Sequence, residues 1–408
     1  MEKLKIGTLF SGIGAFEEAL KQLNIPFEIM FACDNGEIEL IPLDDKKERK
    51  QFLDFQKRVR SLSDEEKETH KALKERISQK YEEFQRYCYD LPTKVERTKY
   101  VNDLYEKYEG LRTNWVKQTY LLNNGAYIHE EDFHTDVRFM KGSDYEGMVD
   151  VIVGGSPCQS FSTFGKKQGL EDARGTLFYD FARIIQEVKP KIFIYENVSS
   201  VLTIDKKRTW SRMLDVINSL GYVFKYDVIN AVDHDHPQLR KRLFLVGFRE
   251  DIYSSNNPYN FPEKKPLTHK STDFLEEEIP NKYYLGEGGF KWITALEKNK
   301  WRSRVNQDII GCQTANQQDN WIGDFRVEHP TQSHYEDVRI FKGQYDFGQG
   351  LEDAVGRKMT PRECLNLMGF SKDFKFEVSD KIAYRLAGNA IVVPVLKDLM
   401  ESLLPYLK

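Results

Sequence analysis

Cys158 stands just past a short apolar run, Val149-Asp150-Val151-Ile152-Val153, separated from it by Gly154-Gly155-Ser156-Pro157. Such a run reads as a buried strand. In an open α/β sheet, ligands bind beyond the carboxyl ends of the strands. A cysteine there can be a nucleophile, because backbone N–H groups of a tight turn or helix start favour the thiolate. The competing reading is a small buried hydrophobe. Glu196 ends a second apolar run, Lys191 to Tyr195, where apolar neighbours can raise a carboxyl pKa and suit it to general-acid work. Gln238, Arg240 and Arg242 alternate ahead of the strand Leu243 to Phe248, so their side chains can point together. Taken singly, each reads as a surface ion-pair residue.

A second constellation lies near the N-terminus. The loop Phe10-Ser11-Gly12-Ile13-Gly14 follows a first strand, and Asp34 ends a second. Glu17 occupies the position of the third glycine in a dinucleotide fingerprint, which argues against NAD or FAD. A shorter Gly-x-Gly loop with a carboxylate for ribose hydroxyls suits an adenosine without a diphosphate, and S-adenosylmethionine is one. The alternative is a simple tight turn.

The elements that must position these residues follow a repeating order. Strand 6–10, helix 15–23 and strand 27–33 are followed by Asp136-Val137, strand 149–153, helix 177–187 and strand 191–195. Alternating strands and helices predict an α/β fold with a doubly wound, mostly parallel sheet. Residues 45–112 interrupt it with dense mixed charge. Ser63 and Glu66 form a capping-box pair, and Leu73, Ile77, Tyr81, Phe84 and Cys88 recur at helical spacing, as do Val101, Leu104, Tyr108, Leu111 and Trp115. This predicts an inserted module of two or three helices. With its charges nearly balanced, it is expected to be a solvated decoration, dispensable for chemistry, whose ends meet at the surface. The domains predicted are 1–253, carrying the insertion; 254–355, a loop-rich unit of short strands; and 356–408, which returns to the first. In 254–355, aromatics interleave with Arg302, Arg304 and Arg326, and Gln313 and Asn316 lie in a Gln/Asn-rich stretch. Those residue types read base edges, and aromatics can stack on bases.

Bulk properties bound the rest. The chain has 408 residues, a net charge of −4 and no run of apolar residues long enough for a membrane span. Its electrostatics as a whole do not favour nucleic acid, so any such site must be a local basic surface. Five scattered cysteines without a CxxC pair fit a reducing cytoplasm with neither a disulfide framework nor a zinc site. No signal peptide is read at the N-terminus.

Taken together and in order, the segments resemble the DNA cytosine-5 methyltransferases of bacterial type. They are FSGIG at 10–14, GGSPCQSFS at 154–162, ARGTLFYDFARII at 173–185, KPKIFIYENV at 189–198, QLRKR at 238–242, RKMTPRECLNLMGF at 357–370 and YRLAGNAIVVPV at 384–395. The resemblance covers about 1–43, 113–250 and 355–408, and implies the S-adenosylmethionine-dependent methyltransferase fold with a smaller target-recognition domain at 254–355. It implies methyl transfer to carbon 5 of a flipped-out cytosine in duplex DNA, through a covalent adduct of Cys158. Glu196 matches the residue acting at ring nitrogen 3, and Arg242, with Arg240, the arginines near the base carbonyl. S-adenosylmethionine contacts are implied for Phe10, Ser11, Gly12, Ile13, Gly14, Asp34, Asn35, Asp136, Val137, Pro157, Leu177, Asn389 and Ala390. Gln159, Ser160, Gln238, Arg302, Arg304, Gln313, Asn316 and Arg326 are the DNA contacts expected.

Some positions depart from the pattern. Asp34 replaces the usual glutamate, with shorter reach, and Ala390 replaces a frequent serine. His234-Asp235-His236 replaces a loop that commonly contains glycine; with no third or fourth ligand evident, no metal is expected. The expected partner is duplex DNA, with no membrane, and a cognate restriction endonuclease acting on the same site is a further expectation. The protein is expected to be a monomer in a bacterial or phage-borne cytoplasmic setting. A tRNA cytosine methyltransferase and a DNA-binding relative without catalysis are the competing readings.

Overall fold

The computed structural model describes residues 2–157, 177–254, 256, 258–295 and 302–407. Seven strands form the main sheet: β1 (Leu4–Leu9), β2 (Phe27–Cys33), β3 (Phe133–His134), β4 (Val151–Gly154), β5 (Ile192–Val198), β6 (Tyr222–Asn230) and β7 (Lys241–Arg249). Their order is β3-β2-β1-β4-β5-β7-β6. All pairs are parallel except those of β7, which runs antiparallel to both β5 and β6. Every residue of β4 is buried, as a parallel strand covered on both faces requires.

Alternate residues of each strand feed two apolar layers. Ile6, Val151, Val153, Ile192 and Ile194 join one, with helix α1 (Ala15–Gln22) and the C-terminal helix Val393–Leu403. Ile152, Phe193 and Tyr195 join the other, with helices Leu177–Val188 and Arg208–Asn218. The sheet is therefore doubly wound, and its C-terminal helix completes the layer that begins with α1.

The insertion folds as three helices, α2 (Lys46–Lys57), α3 (Asp64–Asp90) and α4 (Lys94–Glu109). Ser63 and Glu66 form the predicted capping box. The helical pattern ends before Leu111, which is 90% exposed, because Gly110 caps α4 at φ 68°; Trp115 starts helix α5 (Trp115–Asn124) instead. The insertion is not a solvated decoration. Val101, Leu104, Tyr105, Tyr108 and Cys88 pack with Ile38, Leu40 and Phe139 of the main domain. Buried Glu109 accepts from the Ile41 backbone N–H at 2.9 Å.

A second, four-stranded sheet has the order β10-β11-β9-β8, from β8 (Ser303–Val305), β9 (Gly323–Glu328), β10 (Lys342–Asp346) and β11 (Leu351–Lys358). A helix that sequence periodicity misses, Glu287–Thr294, packs Phe290 and Ile293 against it. Residues near the start of the predicted recognition region lie elsewhere. Tyr259 is fully buried in the main core, and Lys265 pairs with Asp398 of the C-terminal helix at 2.6 Å. Their apolar and ionic partners are on the large domain, which composition alone does not reveal.

Candidate active site and nucleic-acid interface

The sequence turns sharply where β1 ends. Phe10, Gly12 and Gly14 all have positive φ (53°, 53° and 89°), so the loop folds back over the strand end. Ser11 N–H donates to the Cys33 carbonyl at 3.1 Å. Asp34 then ties the two strand ends together, accepting from Gly12 N–H at 2.9 Å and Gly36 N–H at 2.8 Å. Burial raises the Asp34 pKa, against the lowering effect of those two amides. Asn35 shapes its own loop, accepting from Glu37 N–H and donating to the Ile38 carbonyl. Ile13 is buried in the core, and Gly14 is the N-cap of α1.

The other expected cofactor residues frame the same strand ends with different degrees of freedom. Val137 is buried, Leu177 half-buried and Pro157 exposed. Asp136 is buried, with both oxygens held by Arg138 and Oδ2 also accepting from the Tyr105 hydroxyl. Asn389, exposed at the end of the helix Asp380–Asn389, donates to Glu37 at 2.5 Å. Ala390 is buried, and its carbonyl accepts from Arg240.

Glu196 and Arg242 meet on adjacent antiparallel strands, β5 and β7, where Val198 is in register with Arg242. Arg242 Nε lies 3.1 Å from Glu196 Oε1, and both side chains are largely buried. Burial raises the Glu196 pKa, and Arg242 followed by Arg240 pulls it down. Gly155 is needed beside them: a Cβ there would sit 2.7 Å from the Glu196 carbonyl and 2.8 Å from Glu196 Oε2. The next residue is pinned as well. Ser156 Oγ lies 2.7 Å from the Tyr195 hydroxyl, and Asn197 Nδ2 donates to the Ser156 carbonyl at 3.1 Å and to that hydroxyl at 2.7 Å. Tyr195 and Asn197, two apart on β5 and so on one face, are supporting residues that the sequence reading passed over. Cys158, Gln159 and Ser160 lie outside the described residues.

Arg240 differs from the expectation of a group at the base. It is buried, and its guanidinium donates to the carbonyls of Gln313 (2.7 Å), Gly388 (3.1 Å) and Ala390 (2.8 Å). Burial, then Arg242, lowers its pKa. It joins the main sheet to both the second unit and the C-terminal return.

The expected DNA-reading side chains divide. Gln238 is fully buried, donating to the Leu367 carbonyl at 2.8 Å and accepting from Gln313 N–H at 3.2 Å. Arg326 is buried and donates to Ser271 Oγ at 2.5 Å. Neither presents its polar end to solvent, because each satisfies backbone or hydroxyl groups inside the protein. Arg302, Arg304 and Gln313 line a cavity of about 180 Å³ with Thr314 and Asp324. Arg304 forms a fork with Asp324, with contacts of 3.0 and 2.8 Å, and among the described residues Gln313 Oε1 is buried without a donor. Asn316 is exposed. His234 Nδ1 lies 2.7 Å from Asp398 Oδ2, and His236 Nε2 donates to the Leu367 carbonyl, so each histidine has a protein partner. Among the described residues, no helix is long and apolar enough to cross a membrane.

Comparison with known proteins adds to this geometry. The family model for C-5 cytosine-specific DNA methylase matches residues 112–404. Type II methyltransferase M.SsoII of Shigella sonnei is 33% identical over 255 residues, 62% of this chain and 64% of that protein. Type II methyltransferase M1.ScrFI of Lactococcus lactis is 34% identical over 261 residues, 64% of this chain and 63% of that protein. The chain thus matches less than two thirds of either relative's length. A crystal structure of a Spodoptera frugiperda DNMT2 mutant superposes with TM-score 0.60 at 16% identity, covering 98% of this chain and 100% of that one, a likeness of fold.

Proposed function

The chain belongs to the C-5 cytosine-specific DNA methylase family, and from that premise we propose that it forms 5-methylcytosine within a short duplex DNA sequence, using S-adenosylmethionine. The observation that carries the reading is the Glu196–Arg242 pair beside Gly155, three residues before Cys158.

The residues at the strand ends fit an adenosine-bearing cofactor. Among the described residues, a Cβ on Gly12 would meet no atom within 4 Å. Each Asp34 oxygen holds one backbone donor and keeps a lone pair that a ribose hydroxyl could use. When bound, S-adenosylmethionine supplies an electrophilic sulfonium methyl. Carbon 5 of cytosine is a poor nucleophile, and the chain's residues correct that. The Cys158 thiolate adds to carbon 6, making carbon 5 enamine-like. Negative charge moves onto the ring, and Glu196, whose pKa burial raises, donates a proton to nitrogen 3. Arg242 pairs with Glu196 and is assigned to the base carbonyl. Once carbon 5 carries the methyl group, nitrogen 3 returns its proton to Glu196, and loss of the carbon 5 proton to a base then expels the thiolate and restores the ring. The cytosine must leave the stack for carbon 6 to be reached.

The Type II names of the relatives favour a restriction–modification setting, in which a cognate endonuclease recognises the same site without contacting this chain. We take the enzyme as a monomer. Methyl transfer from tritiated S-adenosylmethionine to duplex DNA and, separately, to tRNA tests the proposal. Label should enter DNA alone; transfer only to tRNA, or to neither, would overturn it.

A further inference from the structure

The insertion reaches the cofactor side of the sheet through one short turn. Residues 137–139 form a single 3-10 turn after Asp136, whose carboxylate caps it by accepting from Arg138 N–H at 3.0 Å. Val137, expected at the cofactor, is the first residue of that turn. Three insertion side chains surround the Asp136–Arg138 fork. The buried Tyr105 of α4 donates its hydroxyl to Asp136 Oδ2 at 2.9 Å. Tyr81 of α3 lies under the Arg138 guanidinium, 4.0 Å from ring centroid to carbon. Gln85, one turn along α3, donates to the Arg138 carbonyl at 2.6 Å. The same helices also hold the segment that follows β2. Tyr81 donates to the Leu40 carbonyl at 2.5 Å, and Glu109 accepts from Ile41 N–H.

We propose that the inserted helices set the affinity of the cofactor site, with Tyr105 as a positioning residue that fixes the Asp136–Arg138 turn. The inference rests on the reading of the strand ends as the S-adenosylmethionine site. Asp136 already accepts from four donors, the Tyr105 hydroxyl, the Arg138 backbone N–H and Arg138 Nε and Nη2, which fills a carboxylate's four acceptor sites. Its work is therefore to hold the turn that presents Val137, and Tyr105 holds Asp136. A buried carboxylate that loses a donor loosens or rotates, and the turn moves with it. An insertion read as decoration would have no such effect.

The test uses the full chain. Calorimetric titration with S-adenosylmethionine and steady-state methyl transfer are run on wild type, Tyr105→Phe and Tyr108→Phe. Tyr108 is the matched control, because its hydroxyl bonds Asp44 at the base of the insertion, at 3.0 Å. In Tyr105→Phe, Kd and KM for the cofactor should rise about fivefold, the size expected for one net hydrogen bond. Its kcat at saturating cofactor and its KM for DNA should stay unchanged, as should both cofactor constants of Tyr108→Phe. A merely structural role would instead lower the active fraction, and so kcat, with Kd unmoved. Gln85→Ala, which frees the Arg138 carbonyl, should raise Kd in the same direction and carries the test if Tyr105→Phe fails to fold. A Tyr105→Phe Kd within twofold of wild type, or equal shifts in both tyrosine variants, overturns the brace. No binding by wild type overturns the cofactor reading itself, and the brace with it.

Discussion

The carboxyl edge of the main sheet and the second unit both carry polar residues of suggestive type, yet they use them differently. At the sheet edge, Glu196 and Arg242 lie on adjacent strands and face each other at 3.1 Å. In and around the second unit, Gln238 and Arg326 are buried struts, and Arg304 is matched to Asp324. The difference is positional. A residue at the end of a buried parallel strand is placed by the strand itself, so its location follows from the pattern. A residue in a loop is placed by its partners, and residue type does not say whether those are bases or backbone carbonyls.

The comparison breaks most severely if the sheet edge is not the reaction centre. Cys158→Ala should abolish methyl transfer while a gel-shift titration still detects duplex binding, since phosphate contacts carry most of the affinity. Nucleophile loss normally costs several orders of magnitude. Residual turnover above about 1% of wild type would remove Cys158 from the chemistry.

Glu196→Gln comes next, with kcat expected to fall roughly 10²- to 10⁴-fold, the range for general acid–base groups. Its pKa is raised mainly by burial, so the proton is held to a higher pH than in an ordinary glutamate. In the proposed mechanism the protonated form is the active one. Wild-type kcat should therefore decline as pH rises through the raised pKa, and this limb should be absent in the variant. The same raised value means that the folded protein gains from Glu196 fully at low pH and loses that gain as pH rises through it. A pH–rate profile that Glu196→Gln leaves unchanged in shape would refute the assignment.

The sequence made much of the sheet legible for a physical reason. Strands β1, β2, β4 and β5 are nearly continuous apolar runs because helices cover both faces, and Glu196 and Asp34 fall where those runs end. β6 was not read, because at this sheet edge its residues are mostly half-buried or exposed and lack a clean alternation. The helix Glu287–Thr294 contains Gly288 and Gly289, poor helix formers that its packing overrides. Tyr195 and Asn197 hold Ser156 through a hydrogen-bond triangle that no spacing rule announces. The fates of Arg240 and Gln238 were hidden for the converse reason: both bond to carbonyls more than seventy residues away in sequence.

Gln238→Ala sharpens the contrast by stability. A buried amide that joins the Leu367 carbonyl to Gln313 N–H should cost about 1–3 kcal/mol when removed, because its partners are left unsatisfied. Thermal unfolding should shift downwards, while bisulfite maps of methylated DNA keep the same target sequence. A relaxed target sequence with unchanged stability would return Gln238 to the bases.

Asn316→Ala gives the smallest effect and the closest distinction. Asn316 is exposed in the segment that follows Gln313, next to the cavity lined by Arg302 and Thr314. Among the described residues its side-chain amide makes no hydrogen bond, so the unfolding temperature should stay within about 1 °C, as for ordinary surface substitutions. If the segment reads a base edge, discrimination at one base pair should weaken by roughly 1–3 kcal/mol, which bisulfite sequencing would record as methylation at sites differing at that single position. The turnover rate on the original sequence should fall far less than in Glu196→Gln. An unchanged site preference in Asn316→Ala, together with a changed preference in Gln238→Ala, would invert the division drawn here: the buried residue would be the reader and the exposed one only solvated.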